Sequence, residues 1–71
     1  MTGLECRDAI VSVGLSQVAA ARFFRVDDST VRRWLAEKLA IPEAVVMLLR
    51  VMLHFHLSPE DIERISHRVA P

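Results

Sequence analysis

Apolar residues along this chain recur at intervals of three and four, and nowhere do they alternate long enough to suggest a strand. The whole chain therefore reads as helical, in five segments set by the residues that start and stop helices. The first spans about Gly3 to Val13, with Thr2 as cap and Leu4, Ile10 and Val13 facing inward. Gly14 closes it by taking the left-handed conformation that glycine adopts at little cost. Ser16 caps a second helix, about Gln17 to Phe24, whose inner face of Ala20, Ala21 and Phe24 suits close packing. After the short joint Arg25 to Asp27, Asp27 caps a third helix that continues to about Lys38. Val31, Trp34 and Lys38 fall on one side of it, and Asp28, Ser29, Arg32, Arg33 and Ala36 on the other. Pro42 opens a fourth helix in its first turn, with Glu43 toward the positive end of the dipole, and this helix extends to about His56. Ser58 and Pro59 restart the pattern for a fifth, in which Ile62, Ile65 and Val69 face inward.

The fourth segment departs from simple amphipathicity. Val45, Leu48, Leu49 and Met52 form one stripe, while Val46, Met47, Val51 and Leu53 cover much of the remaining circumference, with Arg50 the only formal charge from Ala44 to Leu57. A helix apolar nearly all round must be covered on two sides. One side can face the first three helices; the other implies the fifth helix, a second copy of the chain, or both. Met47, Val51 and Leu53 are the expected contacts between copies.

Seventy-one residues allow one domain, and 52% hydrophobic residues leave much apolar surface to be covered. A single cysteine, Cys6, excludes an intrachain disulfide framework and fits a reducing compartment, where it serves as a small buried hydrophobe. Glu5, Arg7 and Asp8 interrupt the first apolar stretch before a secretory leader core could form. The longest charge-free apolar run, Ala44 to Leu49, is far shorter than the roughly 18 residues of a membrane span. A cytoplasmic location without membrane association is the expectation.

Net charge is zero, which counts against nucleic-acid binding until its distribution is considered. Between residues 22 and 38, Arg22, Arg25, Arg32, Arg33 and Lys38 face only Asp27, Asp28 and Glu37, whereas both flanks carry one more acidic than basic residue. Positive charge is concentrated in the middle. His54, His56 and His67 invite a metal site, but helix positions two apart point about 200° from each other, unlike the spacing of three or four in helical zinc pairs. No Ser, His and Asp grouping and no glycine-rich phosphate loop is present. Neither catalysis nor a cofactor, metal or small-molecule ligand is expected.

The informative segment is residues 16 to 38. Two short helices joined by about three residues are held at a steep angle, and the second projects as a major-groove reading helix does. Ser16, Gln17, Ala21, Val26, Asp27, Thr30, Val31 and Arg33 stand in the register of the Cro and phage-repressor helix-turn-helix, which this segment resembles. Ile41 to Glu43, leading into an apolar helix, is also similar to members of that group. Arg25 departs from the pattern, standing where the family usually has glycine.

The resemblance implies a compact, five-helix, all-α, lambda-repressor-like domain over residues 1 to 71. Its helix-turn-helix lies at about 16 to 38, and helices four and five, about 42 to 69, supply core and pairing surface. It further implies transcriptional control, more often repression, through double-stranded operator DNA. Carried over by position, Asp28, Ser29 and Arg33 match base-reading positions, and Gln17 matches a side chain that touches phosphate. Arginine makes two parallel hydrogen bonds to guanine, and aspartate accepts from cytosine. Arg32 has both a base and a phosphate open to it. Arg25 and Lys38 are candidate phosphate ligands, Arg25 being equally explained as a plain exposed arginine. Asp28 near a helix N-terminus is equally explained by the dipole. In the working model, two copies place their reading helices in successive major grooves of a partly palindromic operator. A Cro-like autoregulator and the antitoxin of a two-gene module both fit. The rival is an antitoxin-like protein-interaction module on the same fold without DNA binding, which zero net charge permits.

Overall fold

Each helix boundary has a local chemical cause. The computed structural model describes residues 1–69, without the side chain of Val69, and contains α1 (Gly3–Ser12), α2 (Gln17–Phe24), α3 (Asp28–Leu35), α4 (Glu43–Phe55) and α5 (Pro59–Val69). The protein is all-α, with no strand among the described residues. Thr2 and Glu5 form a reciprocal box at the start of α1: the Glu5 N–H donates to Thr2 Oγ1 at 3.1 Å, and the Thr2 N–H donates to Glu5 Oε1 at 2.7 Å. Ser58 and Asp61 repeat the arrangement at α5, at 3.1 and 2.9 Å. Ser16 Oγ accepts from the Ala19 N–H at 3.1 Å. Asp27 occupies the cap position of α3, but its carboxylate makes no capping bond, contrary to expectation. Its backbone carbonyl instead accepts from the Thr30 N–H at 2.9 Å. Pro42 is the residue before α4 rather than its first helical one.

The first four helices end alike. Gly14, Arg25, Glu37 and His56 are left-handed, with φ of 90°, 59°, 60° and 55°. The next residue's N–H reaches back to the carbonyl five positions earlier: Leu15 to Ile10, Val26 to Ala21, Lys38 to Arg33 and Leu57 to Met52, at 2.8 to 3.0 Å. Leu15, Val26 and Leu57 then fold against the core, which fixes the exit of the chain. The reversal at Glu37 also corrects the end of α3, which stops at Leu35. Lys38 is exposed beyond it, not inward beside Trp34. Neither glycine nor asparagine marks this stop in the sequence.

The core joins four helices: Cys6, Ala9, Ile10 and Val13 of α1 and its cap, Ala20 and Ala21 of α2, Val31 and Trp34 of α3, and Leu49 and Met52 of α4. α1 packs on both α3 and α4, and α2 packs on α3. Gly3 lies so close to the Leu35 carbonyl that a Cβ there would collide with it. That approach fixes the phase of α1 at residues 3, 6, 10 and 13, so Leu4, expected inward, is 68% exposed. Val46 is buried on the inner face of α4 instead of belonging to its surplus circumference. α5 touches the core through Ile62, while Ile65, expected inward, is 50% exposed. The inward place expected of the Val69 side chain lies outside the described residues. Among those residues, no helix is long and apolar enough to cross a membrane.

Candidate nucleic-acid interface

The joint between α2 and α3 determines what α3 can present. Arg25, at φ 59° and ψ 46°, turns the chain, and its N–H donates to the Arg22 carbonyl at 3.2 Å. Ala20 and Ala21 are buried where α2 packs on α3, and methyl side chains permit that close approach. Phe24 sets its ring edge-on to Trp34, with centroids 6.1 Å apart, and Trp34 is buried beneath α3. Val31 and Trp34 thus anchor one side of α3 and turn the opposite side outward.

That outer side carries the residues singled out in the sequence. Asp28, Arg32, Arg33 and Ala36 are exposed, and Ser29 is partly buried. At 100° per residue these five span an arc of about 140°, with Asp28 at one edge and Arg33 at the other. Eight residues make α3 about 12 Å long, close to the width of a B-DNA major groove. Gln17 is exposed as the first residue of α2, where backbone N–H groups have no partner within the helix. Arg25 is exposed at the joint and Lys38 in the turn after α3. Arg22 was not among the candidate ligands, yet it is exposed on the last turn of α2, one turn before Arg25. The charge count of residues 22 to 38 contained it; the family pattern did not.

Electrostatically, the surroundings of these cations are mixed: Arg22 shares a cleft with Glu60 and Glu63, and Arg25 shares one with Glu63, but at no ion-pair distance. The one ion pair among the described residues joins Arg64 to Asp61 at 3.3 Å, far along the chain from this region. Arg22, Arg25, Arg32, Arg33 and Lys38 make no ion pair among those residues, nor do Asp27 and Asp28. The surface consequently carries both signs, with the guanidinium groups free to meet an external anion. Hydrogen bonds from Thr2 hold the Glu5 carboxyl below its usual range, and those from Ser58 do the same for Asp61. Burial raises the Cys6 thiol, which is shielded within the core. No three His, Cys, Asp or Glu side chains among the described residues group as metal ligands would.

The three residues expected between copies do not share a surface. Met47 and Val51 lie on the outer side of α4, but Leu53 is about 200° around from Val51. It borders a cleft of about 220 Å³ beside Ser12, Val13 and His56, on the side of α4 next to α1. Phe55 and Ala44, which were not candidates, are exposed on the side of Met47 and Val51. The spacing 47, 51, 55 was the signal for Phe55.

Compared with protein-family models, with curated proteins and with solved structures, the chain matches none of them.

Proposed function

We propose that this protein is a sequence-specific DNA-binding transcriptional regulator, a repressor or autorepressor, in which α2 and α3 act as a helix-turn-helix of the phage-repressor kind. The observation that carries this reading is the outer face of α3: anchored from behind by Val31 and Trp34, it presents Arg32 and Arg33 without an acidic partner. α3 enters the major groove, where Arg33 grips guanine O6 and N7 and Asp28 and Ser29 meet neighbouring base edges. Gln17, with the free N–H groups at the start of α2, holds a phosphate, as do Arg25 and Lys38. Arg22 extends that phosphate-binding edge along α2. A partly palindromic operator is occupied by two copies, and control acts through the amount of protein.

Zero net charge and the exposed pair Asp27 and Asp28 favour a second reading, a protein-interaction module on the same fold. Affinity for random duplex DNA, measured across a salt series, separates the two. The regulator binds non-specifically and weakens steeply as salt rises, because phosphate contacts release counterions. An interaction module shows no salt-dependent binding.

A further inference from the structure

We infer that α4 is the surface on which a second copy of this chain docks, as an antiparallel α4–α4 pair in a defined register. The stripe consists of Met47, Val51 and Phe55, which are 60%, 45% and 63% exposed, with Ala44 alongside. This is a row at intervals of four on one side of a helix whose other side, Val46, Leu49 and Met52, is already buried against the body. A two-fold contact requires a patch complementary to itself. When α4 is set antiparallel to a copy of itself with the axis beside residue 49, Met47 meets Val51 of the second copy, and Val51 meets its Met47. On one flank the methyl group of Ala44 leaves room for the second copy's Phe55 ring. On the other, exposed Glu43 at the helix N-terminus faces exposed His54 at the second copy's C-terminus, and the helix dipoles oppose each other favourably. Arg50 lies at the edge of the stripe, where its stem covers apolar surface and its head stays in water.

Other registers lose these matches. Shifting by one turn either places Phe55 beyond the end of the second copy's helix or pairs it with Met47 at the expense of Glu43 and Ala44, which then face positions past the end of α4. The contact is small, because thirteen residues make a helix about 20 Å long, and a patch about 10 Å wide on it covers about 200 Å² per copy, well below the roughly 800 Å² per partner of a standard interface. Pairing is accordingly expected to be reversible on dilution. The inference adds a partner surface to the regulator reading without using α3, so either can fail alone.

The test is oxidative crosslinking of the full chain in the absence of DNA. Ala44→Cys protein is mixed with Phe55→Cys protein, Cys6 being buried and out of reach. In the proposed register, residue 44 lies within about 2 Å, along the axis, of residue 55 of the other copy, whereas two copies of residue 44 are about 15 Å apart and two of residue 55 about 18 Å. The mixture should crosslink at least tenfold faster than either variant alone, and Met47→Glu introduced in both chains should abolish that excess while leaving the helical signal unchanged. Equal rates in the mixture and in the single variants would overturn the register. A chain that sediments as a monomer at all concentrations up to about 1 mM, with no crosslinked product, would overturn the surface itself.

Discussion

The left-handed residues at the helix ends give a quantitative handle on the fold, because three of the four are not glycine. Arg25, Glu37 and His56 all have φ near 60°, where an L-residue carries about 1 to 2 kcal/mol of strain that glycine lacks. Against this, glycine gives the unfolded chain about 0.4 to 1 kcal/mol more freedom to lose. The balance for Arg25→Gly or His56→Gly therefore runs from about zero to about 1.6 kcal/mol of added stability. For a domain of this size, the middle of that range corresponds to roughly 3 to 6 °C in Tm. Alanine at the same positions is the control: it keeps the strain, so the glycine variant should be more stable than the alanine variant. In an ordinary exposed helix position the order is reversed by about 1 kcal/mol. Urea denaturation followed by far-ultraviolet circular dichroism at both sites measures the difference. His56→Gly is the cleaner case, since it lies outside the proposed DNA face. Should glycine prove less stable than alanine at both positions by more than about 0.5 kcal/mol, the turns are not left-handed and the exits of α2 and α4 are wrong.

Other consequences follow from the packing and the caps. Gly3→Ala places a Cβ against the Leu35 carbonyl oxygen and 2.9 Å from its carbon. Backbone atoms cannot step aside as a flexible side chain would, so the change should cost about 1 to 3 kcal/mol in a denaturation experiment, and an unchanged midpoint would mean that α1 and α3 are farther apart. The carboxyls of Glu5 and Asp61 are held below their ordinary values of 4.5 and 3.8, so the stability they add is fully present above those values and is lost as pH falls through the lowered folded values. Thermal midpoints between about pH 6 and pH 2 should show a shallower acid decline for Asp61→Asn than for the parent, and parallel curves would remove Asp61 from the cap.

The sequence was most legible where one local interaction decides the outcome. Ser16, Thr2 and Ser58 name the starts of three helices, Gly14 names the end of the first, and the alanines of α2 mark where it packs closely. Legibility failed where a tertiary contact or an unmarked turn decides. Leu4 offers a core more apolar area than Cys6 or Ala9, but the approach of Gly3 to Leu35 rotates α1 away from it. The end of α3 at Leu35 depends on Glu37 adopting a conformation that nothing in its side chain favours. The sequence groups Leu53 with Met47 because α4 is apolar on nearly every side, and periodicity alone cannot divide such a helix between two partners. The exposed row of α3 was legible because Val31 and Trp34 fix its phase, whereas Arg22 lies outside that row, on α2, beside a cleft it shares with Glu60 and Glu63.

The central claim, that α3 reads DNA, is tested most directly on an operator selected from a random duplex pool. Arg33→Ala, Arg32→Ala and Gln17→Ala are compared with the parent across base substitutions and salt concentrations. Arg33→Ala should cost about 1 to 3 kcal/mol per half-site and relax preference at one base position. Gln17→Ala should weaken all sequences alike with the salt slope nearly unchanged, because glutamine carries no charge. Arg32→Ala should either lower the salt slope by roughly one per subunit, as a phosphate ligand, or alter preference at one position, as a reader. Binding of all three variants indistinguishable from the parent, or failure of the pool to yield any bound sequence, would contradict the account.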